Sequence, residues 1–161
     1  MLLRPATPAD AAATAAIYNA EVTGSRVTFD LVTRTVEEQA AWLRSRSGVL
    51  EVVVAEVDGE VAGFASLSPY RDRPAYRTTV EDSIYVHGDH RGTGVGRALL
   101  EEIVAVARER GFHAVMARIV ADHTASIRLH AAVGFEHVGV EREVGRKFGR
   151  WLDVTVMQLL L

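Results

Sequence analysis

Strand, glycine loop and helix follow one another between residues 79 and 103, and this succession restricts the fold more than any other part of the chain. Thr79-Val80-Glu81-Asp82-Ser83-Ile84-Tyr85-Val86 reads as a strand, Arg91-Gly92-Thr93-Gly94-Val95-Gly96 as a turn, and Arg97-Ala98-Leu99-Leu100-Glu101-Glu102-Ile103 as the opening of a helix. Glycines let a backbone turn its N–H groups inward and let a ligand come close, and a helix N-terminus adds partial positive charge. The segment is a candidate cradle for a pyrophosphate, or else a glycine turn that only caps a helix. A Walker A loop would need Lys followed by Ser or Thr at the helix start, where Gly96-Arg97-Ala98 stands. A dinucleotide fingerprint starting at Gly92 would need glycine at position 97, which is arginine.

The rest of the chain supplies alternating elements. A strand at Leu2-Leu3-Arg4 precedes Thr7-Pro8-Ala9-Asp10, where a cap residue, a proline at the first helical position and an acid three residues after the cap start a helix through about Ala20. Residues 37–46 read as a second amphipathic helix, ended near Gly48. Residues 49–57 and 60–67 read as strands joined by Asp58-Gly59, a dipeptide suited to a two-residue hairpin turn. The helix after the glycine loop ends at Arg110-Gly111. A strand at 114–120, a helix at 124–133 and strands after Gly134 and Gly149 complete the order β-α-α-β-β-β-α-β-α-β-β. This order suits an α+β, three-layer fold, a mixed and mainly antiparallel sheet flanked by helices.

Composition limits the function. With 161 residues, 48% of them apolar, the chain can bury a core as a single domain spanning residues 1–161. A net charge of −3 with scattered basic residues argues against nucleic acid and against an anionic membrane surface as partners. The absence of cysteine excludes a disulfide framework and a thiolate nucleophile. No apolar run approaches membrane-spanning length, so a soluble cytoplasmic protein is the default expectation. The histidines at 87, 90, 113, 123 and 137 have no HExxH-like spacing, and no metal is expected.

Strand alternation puts Glu81, Ser83, Tyr85 and His87 on one face and Val80, Ile84 and Val86 on the other. A partly desolvated Glu81 would have its pKa pushed up toward a range useful for general base catalysis; the competing reading is a glutamate solvated or paired with Arg77. Ile127, His130, Ala131 and Gly134 share a helical face, which by itself makes His130 a core histidine.

The pattern Arg91-x-x-Gly94-x-Gly96 resembles the acetyl-CoA loop of the Gcn5-related N-acetyltransferases. Arg73-Pro74-Ala75-Tyr76-Arg77-x-Thr79-Val80-Glu81-x-Ser83-x-Tyr85-Val86, Ser126-Ile127-Arg128-Leu129-His130, Gly134-Phe135 and Lys147-Phe148-Gly149-Arg150-Trp151-Leu152-Asp153 extend the resemblance over residues 4–158. The subfamily they resemble acetylates phosphinothricin, methionine sulfone and methionine sulfoximine. The resemblance implies an acetyl-CoA-dependent N-acetyltransferase that transfers directly to the amino group of a small amino acid. Another amine, such as a protein N-terminus or an antibiotic, and a non-catalytic acyl-CoA sensor are the alternatives.

On the same ground the cofactor residues are Ile84, Tyr85 and Val86 through their main chain, then Arg91, Gly92, Thr93, Gly94, Val95, Gly96, Arg97, His123 and Ser126. His123 stands where relatives often carry asparagine. Glu81 becomes the general base and His130 a second catalytic group, as acid or base. Phe29, Arg73, Arg77, Tyr85 and Lys147 become the substrate residues, the cations facing a carboxylate and a tetrahedral oxyanion head. The turn around Phe148-Gly149 implies a homodimer contact.

Overall fold

A two-residue turn sets the first strand pairing. Asp58 (φ 52°) and Gly59 (φ 86°) both adopt left-handed backbone, and they fold β2 (Val52–Val57) antiparallel onto β3 (Glu60–Pro69). The structure is a computed structural model and describes residues 1–46 and 48–161. β1 (Leu2–Pro5) pairs with the other edge of β2, and β4 (Thr79–Val86) runs antiparallel along β3. β5 (Ala114–Val120) lies parallel to β4, and β6 (Glu136–Lys147) and β7 (Arg150–Leu160) form a hairpin whose β7 pairs with β5. The seven strands stand in the order β1-β2-β3-β4-β5-β7-β6, with one parallel pair among antiparallel ones. The mixed, mainly antiparallel sheet inferred from the element order is therefore the observed one.

Helices cover both faces because the strands alternate. Val52, Val54 and Phe64 turn toward α1 (Ala11–Gly24) and α2 (Val36–Ser45), where Ile17, Tyr18, Val22 and Leu43 close a buried cluster. Val53, Ala65, Leu67, Val80, Val115 and Ala117 face the other way and meet Leu99, Leu100, Ile103 and Ala107 of α3 (Val95–Glu109). Ile127, Leu129 and Val133 of α4 (Thr124–Val133) pack against this second cluster.

Several boundaries differ from expectation, two of them by three residues or more. The first helix opens with a 3-10 turn at Pro8–Asp10 and continues to Gly24 instead of Ala20, because Glu21 and Val22 extend its buried face. β2 begins at Val52 instead of residue 49: Val49 is exposed, and the last main-chain bond from the β1 side runs from the Ala6 N–H to the Val52 carbonyl at 2.8 Å. Among the described residues no helix is long and apolar enough to cross a membrane.

Candidate active site

The sheet opens at Glu81. β4 and β5 are paired only at Thr79, Val80 and Glu81, opposite Ala114, Val115 and Met116. Beyond that point β5 continues against β7, while β4 keeps only β3. Residues 82–86 thus present one row of main-chain polar groups without a strand partner, and buried groups of that kind need another partner.

A cleft of about 580 Å³ fills the opening. Ile84, Tyr85 and Val86 line it from β4, Arg91, Gly92, Gly94, Gly96 and Arg97 from the glycine loop, and His123 and Ser126 from the start of α4. Glu21, Ser25, Val27, His90, Ala125 and Leu129, none of them expected from sequence to touch a cofactor, also line it. The strands can approach closely beside it because residue 63 is glycine: a Cβ there would stand 2.7 Å from the Tyr85 carbonyl oxygen and 3.3 Å from Val86 Cα.

The loop has the build of an anion cradle. Gly94 takes φ 94° at the N-cap of α3, a conformation that penalises any Cβ. The first bond within the helix runs from the Ala98 N–H to the Gly94 carbonyl, so the N–H groups of Val95, Gly96 and Arg97 have no acceptor in the helix. They lie at its positive end. Two residues expected to touch a cofactor contribute differently. The Val95 side chain is buried in the core, leaving only its main chain for the cradle, and Thr93 turns its hydroxyl back to the His90 carbonyl at 2.7 Å.

Arg91 forms an ion pair with Glu21, a nearly buried carboxylate of α1, whose other oxygen accepts from Ser25 Oγ at 2.5 Å. His123, at the N-cap of α4, is held below the usual imidazole range by burial, so its ring is neutral at neutral pH. No short-range sequence signal marks Glu21, which is 70 residues from Arg91.

Glu81 sits at the last paired position, three residues and roughly 10 Å along β4 from the cleft wall at Ile84. It is half-buried, and burial pushes its pKa up; Asp82 and Glu141 add to this and Arg118 opposes it. The pairing with Arg77 considered from sequence is not formed. Arg73 and Arg77 are exposed residues flanking a 3-10 turn at Pro74–Tyr76, and neither lines the cleft.

Lys147 corrects a further expectation. It is only 3% exposed, and its ammonium donates to the main-chain carbonyls of Thr28 at 2.9 Å and Glu21 at 3.4 Å. It therefore anchors the segment after α1 instead of facing a substrate. Phe29 in that segment lies so close over Gly145 of β6 that a Cβ there would clash with its ring, and it does not line the cleft. Tyr85 does line it, with its ring packed between Tyr18 at 5.1 Å and Phe64 at 5.2 Å, and burial pushes its phenol pKa up.

His130 is 3% exposed and both ring nitrogens are engaged. Nδ1 lies 2.8 Å from the Ser126 carbonyl and Nε2 lies 3.0 Å from Asp82 Oδ2. Ser126 Oγ is also 3.4 Å from Nδ1, so serine, histidine and aspartate stand in the order of a nucleophilic triad. The resemblance fails on the proton: Nδ1 must carry a hydrogen to donate to a carbonyl and cannot act as base toward Oγ. Asp82 went unnoticed in the sequence, although a lone acid sharing the face of Val80, Ile84 and Val86 was the available signal. Among the described residues no three potential ligands group as a metal site requires.

Comparison with known proteins agrees with this geometry. The profile of the acetyltransferase (GNAT) domain matches residues 3–156. The L-methionine sulfoximine/L-methionine sulfone acetyltransferase of Salmonella typhimurium is 41% identical over 100% of this chain and 95% of its own length. A crystal structure titled ribosomal-protein-alanine N-acetyltransferase, from Brucella melitensis, superposes with a TM-score of 0.98 at 42% identity, covering 100% of both chains. The phosphinothricin acetyltransferase of Sinorhizobium meliloti, solved in complex with acetyl-CoA, gives 0.95 at 40% identity over 99% of this chain and 88% of that one.

Proposed function

The chain belongs to the GNAT acetyltransferase family, and on that premise we propose that it transfers the acetyl group of acetyl-CoA to the α-amino group of a small amino acid with a polar tetrahedral head, such as methionine sulfone, methionine sulfoximine or phosphinothricin. The observation that carries the reading is the parting of β4 from β5 after Glu81, which leaves a half-buried carboxylate at the start of the free strand edge that walls a cleft running to a glycine cradle. The relatives named for these amino acids support the substrate class.

Acetyl-CoA supplies the acyl group as an activated thioester. The N–H groups at the start of α3, with Gly92, Gly94 and Gly96, would hold its pyrophosphate, and the free edge of Ile84, Tyr85 and Val86 would hold its pantetheine arm. Glu81 is the base that accepts the ammonium proton, directly or through water, and its raised pKa suits that work. Transfer is direct: the chain has no cysteine, and Ser126 has no base to activate it.

The protein works as a homodimer in the cytoplasm, where it draws on acetyl-CoA. Phe148 and Trp151, each 60% exposed at the β6–β7 turn, support a contact there. A second reading, acetylation of a protein N-terminus, takes support from the name of the Brucella structure. Steady-state CoA release from acetyl-CoA with the three amino acids and a panel of N-terminal peptides tests both. Turnover with an amino acid of the three is expected; turnover with peptides alone would replace the first reading with the second.

A further inference from the structure

The bond between Asp82 and His130 joins two walls of the cleft. His130 Nδ1 carries a proton because its partner, the Ser126 carbonyl, can only accept. A second proton lies between Nε2 and Asp82 Oδ2 at 3.0 Å, whether held by the ring or by the carboxyl. Asp82 is 6% exposed and, among the described residues, its Oδ1 is buried with no partner and His130 provides the carboxyl group's one hydrogen bond. A carboxylate in that setting without its histidine would be an unpaired buried charge.

The location gives the pair its significance. Asp82 is the first residue of β4 after the pairing with β5 ends. His130 lies one helical turn along α4 from Ser126, which lines the cleft. Among the described residues this is the only hydrogen bond linking β4 to α4. α4 otherwise packs on α3 and β5 and, through Ile127 and Leu129, on the apolar cluster that Ile84 and Val86 of β4 join, so Asp82–His130 is the polar tie added to that packing. The Phe135 ring, edge-on at 5.0 Å, closes the remaining side.

We propose that Asp82 is a positioning residue for cofactor binding: through His130 it ties the open edge of β4 to the first turns of α4 and so fixes the width of the cleft. The functional half of this statement rests on the acetyltransferase reading; the structural half does not. The pair is neutral as a unit. Burial works against a charged ring, but the Asp82 bond and charge outweigh it, so the proton is retained above the usual imidazole range. The other titratable groups nearby are His123 at the start of α4, neutral by burial, and Glu81, which points to the opposite face of β4.

Three variants of the full chain test the proposal. Asp82→Ala should weaken acetyl-CoA binding about tenfold, the equivalent of one charge-assisted hydrogen bond. Asp82→Asn, whose amide can donate to a neutral Nε2, should restore affinity to within about threefold. Val138→Ala, an exposed change on β6 away from the cleft, serves as the neutral reference. Nitrogen-15 NMR of the imidazole should show both His130 nitrogens still protonated in the wild type above the pH at which an ordinary imidazole loses its proton, and only Nδ1 protonated there in Asp82→Asn. This readout needs no turnover and stays informative if the acetyltransferase reading fails. A His130 ring that titrates near its ordinary value in the wild type would overturn the pairing. Unchanged acetyl-CoA affinity in a folded Asp82→Ala would overturn the positioning role, as would a shifted pH profile of kcat in Asp82→Asn with affinity intact, which would make His130 a proton donor instead.

Discussion

Replacing Gly94 by alanine isolates the backbone demand of the glycine loop. The residue has φ 94°, and a Cβ built on it meets nothing within 4 Å. The substitution therefore adds strain without a clash. Left-handed backbone costs an L-residue about 1–2 kcal/mol. Gly88, equally open but without a positive φ, is the matched control. The strain must surface in one of two places. If the loop keeps its shape, the folded state loses that free energy and Tm falls by about 2–4 °C per kcal/mol. If the empty loop relaxes, the same free energy is charged to binding and the acetyl-CoA Kd rises about 5- to 30-fold. Thermal unfolding and calorimetric titration of Gly94→Ala and Gly88→Ala measure both quantities. The reasoning is refuted if the two variants agree within about 1 °C in Tm and about twofold in Kd.

Two further outcomes follow from buried groups. Lys147→Met removes the donor to the Thr28 and Glu21 carbonyls and should destabilise the chain by about 1–3 kcal/mol, read as a lower Tm; a selective rise in amino-acid KM with unchanged Tm would restore Lys147 to the substrate site. Glu81 has a folded-state pKa above its unfolded value, so the folded chain binds its proton more tightly. That stabilisation is complete below the unfolded pKa and is lost as pH rises through the raised folded value. Glu81→Gln should accordingly be at least as stable as wild type at about pH 8, with the difference vanishing near pH 4. Thermal unfolding across pH checks this, and a variant less stable than wild type at the upper pH would show that the carboxylate supports the fold.

Local signals carried most of the architecture. Asp58-Gly59 announced its turn because both positions need left-handed backbone, and the bounds of β4, β5 and α4 followed from strand alternation and helical spacing. The site was legible where it lies along one stretch of chain, from Ile84 to Arg97. It was illegible where it depends on partners far apart in sequence: Asp82 and His130 are 48 residues apart, and Lys147 and Thr28 are 119 apart. A lysine expected to face the substrate is a buried donor to two main-chain carbonyls that the tertiary fold supplies and no spacing rule encodes. The parting of β4 from β5 belongs to the same class, since β7 holds the other edge of β5 from Ala114 to Val120 while β4 stays with β5 only at Thr79, Val80 and Glu81.

Direct acetyl transfer with Glu81 as the base is the central claim, and the kinetics of Glu81→Gln test it most directly. Steady-state CoA release with methionine sulfone, or whichever amine the wild type turns over, gives kcat, and calorimetry gives the acetyl-CoA Kd of the same preparation. The account predicts a kcat lowered by about a hundredfold or more with Kd changed by less than about twofold. Near-normal turnover in the variant would contradict it and assign proton removal to another group.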